Sequence, residues 1–68
     1  MDLCDYLRQA LEHEQRASPI YSGLMSLTEA RDTTPDWEFA RMLVTVMATD
    51  NHAHIQALAR LLGQYCAP

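Results

Sequence analysis

Three ionisable side chains, Glu14, Asp50 and His54, have the types and the spacing to bind a metal ion. Asp50 and His54 are four residues apart in a segment with helical periodicity, so one turn of helix places both on the same face. Glu14 lies at the matching level of the other helical segment if the two segments are joined near residue 33 or 34. Because a buried carboxylate needs a partner, a proton or a cation, the sequence predicts a shared metal site.

Several neighbouring residues are candidates for roles around the metal site, and an alternative without a metal stays open. The Glu12 carboxylate could lie on the path by which a metal ion enters the site, or behind the metal ligands. Tyr21 lies near the site on the same helical face as Glu14. His13 and His52 are expected at the surface, since helical rotation turns each away from the ligand line. The alternative is an Asp50–His54 ion pair, with Glu14 at the edge of the apolar face.

Two amphipathic helices would position these residues. The first is expected from Asp2, which suits a helix cap, to about residue 31, with apolar residues at intervals of three and four. Ser18-Pro19 interrupts it, because proline has no amide donor, and a kink or a break capped by Ser18 is expected there. No catalytic residue stands out in either helix.

The segment 31–36 carries the strongest turn signal. Thr34 suits a helix cap and Pro35 the first helical position, which predicts a second helix from near Pro35. Its apolar positions include one line of residues 40, 43, 47, 50, 54, 58 and 61, on which Asp50 and His54 lie. Gly63 is expected to end this helix.

The fold class predicted from these elements is all-α. Two helices of similar length with a short connection form an antiparallel helical hairpin, a single domain over residues 1–68. The segment 42–47 is apolar on several sides, so one hairpin cannot cover it. We therefore expect a homo-oligomer, at least a dimer, in which two hairpins form a four-helix bundle.

Composition and charge narrow the function classes. The net charge is -4, with nine acidic residues, five arginines and no lysine, and the arginines are scattered, which argues against nucleic-acid binding. The chain contains no long apolar run typical of a membrane span and no basic segment typical of a signal peptide. A cytoplasmic location is expected.

The cysteines, Cys4 and Cys66, match no zinc-binding spacing. In an antiparallel hairpin they lie at the same end, where a disulfide within or between chains is geometrically feasible. The alternative is a pair of free thiols without a role.

Residues 11–14 followed by Tyr21 resemble the first-helix pattern of bacterioferritins, and residues 49–54 are similar to the Asp-Glu-x-x-His-Ala segment of the ferritin-like superfamily. Two helices in place of four make the chain resemble the encapsulated ferritin-like proteins, which assemble metal sites between subunits. Asn51 departs from the pattern, since the family has glutamate there.

The resemblance implies a di-metal carboxylate protein that binds iron or manganese through Glu14, Asp50 and His54 of two chains. Such a protein would be a ferroxidase-type oxidoreductase, oxidising Fe(II) with oxygen or peroxide. The competing hypothesis is a non-enzymatic helical-hairpin interaction module that presents a surface to a larger protein. In that module the polar residues form a buried layer that sets the register of the helices.

Overall fold

A computed structural model describes residues 1–29 and 35–66, which form two helices: α1 at Leu3–Thr28 and α2 at Pro35–Tyr65. Asp2 caps α1, as predicted. Its carboxylate accepts a hydrogen bond from the Asp5 backbone N–H (2.9 Å), and the Asp5 carboxylate accepts one from the Asp2 N–H (3.1 Å). The Asp5 N–H stabilises the charged carboxylate and so lowers the pKa of Asp2.

α1 is a single helix that continues through Pro19. The break with Ser18 as a cap is therefore wrong, and the kink stays a prediction. Proline in a helix interior removes one backbone hydrogen bond, but residues on both sides of Pro19 pack along the same line against α2. Tertiary packing holds the helix together where local propensity would interrupt it.

α2 begins at Pro35, as predicted, with Asp36 and Glu38 in its first turn near the positive end of the helix dipole. The cap expected at Thr34 and most of the turn segment lie outside the described residues. The predicted stop at Gly63 is wrong. Gly63 does not adopt a positive φ, and the Cys66 N–H still donates to the Leu62 carbonyl at 2.9 Å, so the helical pattern runs past the glycine.

The two helices pack against each other along their length, which confirms the predicted helical hairpin. Cys4 and Cys66 lie at the same end, as expected, and form a disulfide within the chain, with their Cα atoms 5.7 Å apart. Of the alternatives open from the sequence, the structure has the intrachain bond. It joins the start of α1 to the residue after α2 and closes the open end of the hairpin.

The described residues contain no buried apolar side chain. Of these described residues, only Thr28 (8% exposed) and Asn51 (4% exposed) are buried, and the apolar ones between the helices are at best half-buried. The shape is a rod of 50 × 15 × 15 Å with a radius of gyration of 15.5 Å, against about 11 Å for a compact domain of this length. In one hairpin the described apolar side chains therefore all stay partly accessible to water.

A membrane-crossing role finds no support in the described helices, neither of which combines the length and the apolar character needed for a span.

Candidate functional site

Asn51 is the centre of the polar contact between the helices. Its side-chain amide donates to the Glu14 backbone carbonyl at 2.8 Å and to Glu14 Oε2 at 3.0 Å. The carboxamide therefore joins α2 to both the main chain and the side chain of α1. Because Asn51 is almost fully buried, these bonds supply the partners that its amide group needs.

Glu14 also contacts His54. Its other carboxylate oxygen, Oε1, lies 3.5 Å from His54 Nδ1, and the Glu14 side chain is 23% exposed while that of His54 is 62% exposed. The two oxygens of one carboxylate thus face different partners, a buried amide and an accessible imidazole. The structure brings Glu14 and His54 together, as the sequence predicts.

Asp50 lies at the same level, on the rim of the cleft that Glu14 and His54 line. This cleft has a volume of about 210 Å³, and Tyr21, Met47 and Asn51 complete its wall. Within one hairpin Asp50 and His54 are exposed, and Asn51 takes the position that faces α1. Glu14 pairs with Asn51, two residues from the position 53 that simple register counting would place opposite it.

The remaining candidates are more peripheral. Glu12 is exposed and forms an ion pair with Arg16, 3.7 Å away, on its own helix. His52 is exposed, as expected, and its Nε2 lies 3.1 Å from Gln56 Nε2.

His13 is exposed, yet it lines a second cleft that sequence reasoning missed. The volume of this cleft is about 310 Å³, and its walls come from both helices: Ala10, His13, Glu14, His54, Ala57 and Leu58. His13 and His54 therefore lie on the same side of the hairpin, and they flank Glu14. A sequence signal for this position exists: His13 is seven residues from Tyr6 and from Ile20, two exposed apolar residues, so all three lie on one line of the helix.

Asn51 was also missed as a buried residue, although a signal for it exists. It falls on a line with Val44, Ala48, Ile55 and Leu58, spaced by three and four residues, and this line faces α1. The line lies beside the one that carries Asp50 and His54. Choosing between two adjacent apolar lines requires knowledge of what packs against each.

Among the described residues, no group of three or more His, Cys, Asp or Glu side chains is placed to hold a metal ion. One hairpin does bring together two groups of ligand type, the Glu14 carboxylate and the His54 imidazole. Three or four protein ligands are usual for a transition metal in such bundles. The two ligand-type groups that one chain brings together are therefore fewer than such a site needs.

Comparison with known protein families, curated proteins and solved structures found no match for this chain. The ferritin-like resemblance consequently rests on the residues alone and stays a prediction.

Proposed function

We propose that two copies of this hairpin pair into a four-helix bundle and bind iron or manganese between them, as a ferritin-like di-metal carboxylate protein. The observation that carries the proposal is the approach of Glu14 and His54 from opposite helices to 3.5 Å, at an accessible cleft. Carboxylate and imidazole are suitable ligands for both metals. Asp50, on the rim of the same cleft, supplies a third candidate ligand per chain.

Two-fold symmetry doubles this set to two Glu14, two His54 and two Asp50 side chains, close to the complement of a dinuclear carboxylate site. A bound metal pair of this kind would supply redox chemistry, and ferroxidase activity toward Fe(II) is the proposed enzymatic outcome. Asn51 would act behind the ligands. By donating to Oε2 it orients the Glu14 carboxylate and leaves Oε1 available on the His54 side.

Metal analysis of the chain purified without chelator tests the proposal. We expect about one iron or manganese ion per chain, as a dinuclear site in a dimer requires. Added Fe(II) or Mn(II) should raise the melting temperature, since binding to the folded form stabilises it by about 2.7 kcal/mol at a hundredfold excess over the dissociation constant.

The matched variants are His54→Ala and His52→Ala. The first removes a proposed ligand, and the second removes an exposed imidazole whose described contact is with Gln56 on its own helix. His54→Ala should abolish the metal-dependent gain in melting temperature, while His52→Ala should retain it. A parent chain that takes up no metal after reconstitution, or two variants that respond like the parent, would refute the metal site.

The second candidate is a non-enzymatic interaction module, and the Asn51 contact favours it. Asn51 satisfies one Glu14 oxygen with an amide donor, and His54 lies beside the other, so the polar layer has partners without any cation. Such a layer sets the register of packed helices. This candidate predicts a stable assembly that binds no metal and that presents a surface to a larger protein partner.

The redox state of the two cysteines bears on the cellular compartment of the protein. The cytoplasmic location expected from the sequence stays a prediction, and the Cys4–Cys66 disulfide favours an environment oxidising enough to maintain it.

A further inference from the structure

We infer that one side of the hairpin is the surface on which a second copy of this chain docks. We call it the apolar face and define it by Tyr6, His13, Ile20 and Leu27 of α1 and by Phe39, Leu43, Val46, Asp50, Ala57 and Leu61 of α2. The inference rests on the proposed function and deepens it. It assigns the interface that would bring the Glu14–His54 pair of one chain next to that of the second chain.

The α1 part of the apolar face repeats every seven residues. Tyr6, Ile20 and Leu27 are 60%, 63% and 74% exposed, although large apolar side chains are usually covered in a folded protein. A seven-residue repeat on a helix is the spacing that keeps one line of side chains against a partner helix. His13 is the single ionisable member of this line.

The α2 part has the same character. Phe39, Leu43, Val46 and Leu61 are all exposed and recur at helical spacing. Asp50 is the ionisable residue between them, at about half height, beside His54. Both lines are therefore largely apolar, with ionisable residues at one shared level and with Arg60 beside Ala57 near one end.

The two lines lie on the same side of the hairpin. Ala10 and His13 of α1 line one cleft together with His54 and Ala57 of α2, so this cleft lies between the two lines. The described ion pairs of arginine with carboxylate, Arg8–Asp5, Arg16–Glu12 and Arg41–Glu38, use residues outside this face. The ion-paired charges thus lie elsewhere, as expected when one side is covered in the assembly.

The accessible surface area of the hairpin indicates how large an interface a partner would bury. The chain exposes 5296 Å², whereas a compact monomer of 7.7 kDa exposes about 4,300 Å². The excess of about 1,000 Å² is close to the roughly 800 Å² per partner that a standard stable interface buries. A second copy fits this requirement, because its own apolar face has the same area and the same central polar level, and two-fold symmetry brings the two polar levels together.

Two methionines in the unmodified chain provide an internal test. Met47 lines the cleft with Glu14 and Asp50 and is 41% exposed. Met25 of α1 is five residues from Ile20, a rotation of about 140° around the helix, so it lies outside the apolar face, and it is 37% exposed. Oxidation by dilute peroxide, followed by peptide mass spectrometry in the presence of chelator, should be several-fold slower at Met47 above the dimer dissociation constant than below it. The rate at Met25 should not change with protein concentration.

A matched pair of variants tests the same surface by sedimentation. Ile20→Glu places a charge in the apolar face, and Ser22→Glu places the same charge on an exposed position of α1 outside it. Because both side chains are exposed in the single hairpin, neither change disturbs the packing of α1 on α2. Ile20→Glu should weaken dimerisation at least about a hundredfold, since two unpaired charges become buried per dimer, and Ser22→Glu should dimerise like the parent.

The outcomes separate the interface from the metal site. A monomeric parent chain at micromolar concentration, or a dimer in which Met47 oxidises as fast at high as at low concentration, overturns the assigned face. A dimer that protects Met47 in chelator but takes up no metal supports the face and refutes the metal site. A metal-loaded dimer that tolerates Ile20→Glu refutes the face and leaves the metal site standing.

Discussion

Replacing Asn51 by alanine tests whether the contact between its amide and Glu14 holds the hairpin together. The substitution removes one hydrogen bond to a backbone carbonyl and one to a carboxylate. A bond to a neutral group contributes about 0.5–1.5 kcal/mol and one to a charged group about 1.5–3 kcal/mol. Since the Glu14 side chain is 23% exposed, water can replace part of the lost interaction, and we expect a loss of about 2–3 kcal/mol.

The assay is urea unfolding of the oxidised protein at fixed concentration in chelator, followed by circular dichroism. The expected loss corresponds to a fall in melting temperature of roughly 10–20 °C for a chain of this size. Gln56→Ala is the control, because it removes an exposed amide whose described partner, His52, lies on the same helix. It should change the free energy of unfolding by less than about 0.5 kcal/mol.

The aspartate variant sharpens this test. Asn51→Asp keeps the shape of the side chain but replaces its amide donor with a carboxylate oxygen facing a carbonyl and a second carboxylate. It should therefore destabilise the chain at neutral pH at least as much as alanine does. If Asn51→Ala and Gln56→Ala unfold at the same urea concentration, the buried amide contributes nothing and the reasoning is refuted.

Three further predictions concern the backbone and the ends of the hairpin. Pro19→Ala restores an interior backbone donor and should stabilise the chain by about 1–3 kcal/mol in urea unfolding, a neutral or destabilising result being the contrary outcome. Reducing the Cys4–Cys66 bond, which spans 62 residues, should cost about 4 kcal/mol by loop-closure entropy; unfolding curves that are the same with and without reductant would contradict this. The lowered pKa of Asp2 means that its stabilising effect is present above the unfolded pKa and is lost as pH falls through the folded one, from about pH 4 downward. Asp2→Asn keeps the cap without titrating, so its helicity should fall less than that of the parent in acid, and parallel pH curves would count against the linkage.

The local features of the fold could be predicted from the sequence. Asp2 caps α1 and Pro35 begins α2, because both positions depend on backbone groups within one turn of the residue. The antiparallel hairpin follows from two helices and a short connection, and it places Cys4 and Cys66 at one end. The proximity of Glu14 to His54 follows from the same register.

Features that depend on packing were decided by the tertiary structure. Pro19 and Gly63 carry strong local signals for a break and a stop, but the helices continue through both, held by contacts along the hairpin and by the disulfide beyond α2. Local propensity is worth about 1–3 kcal/mol at such a position, which packing over a whole helix can outweigh.

The choice of the buried polar residue on α2 is the clearest example. Asn51 and Asp50 are neighbours in sequence, and each lies on a line of apolar residues at helical spacing, so the pattern alone permits either to face α1. The structure buries Asn51 and exposes Asp50 and His54. The apolar residues of a helix show how much of its surface must be buried. Which neighbouring helix buries each side depends on contacts between residues far apart in the chain.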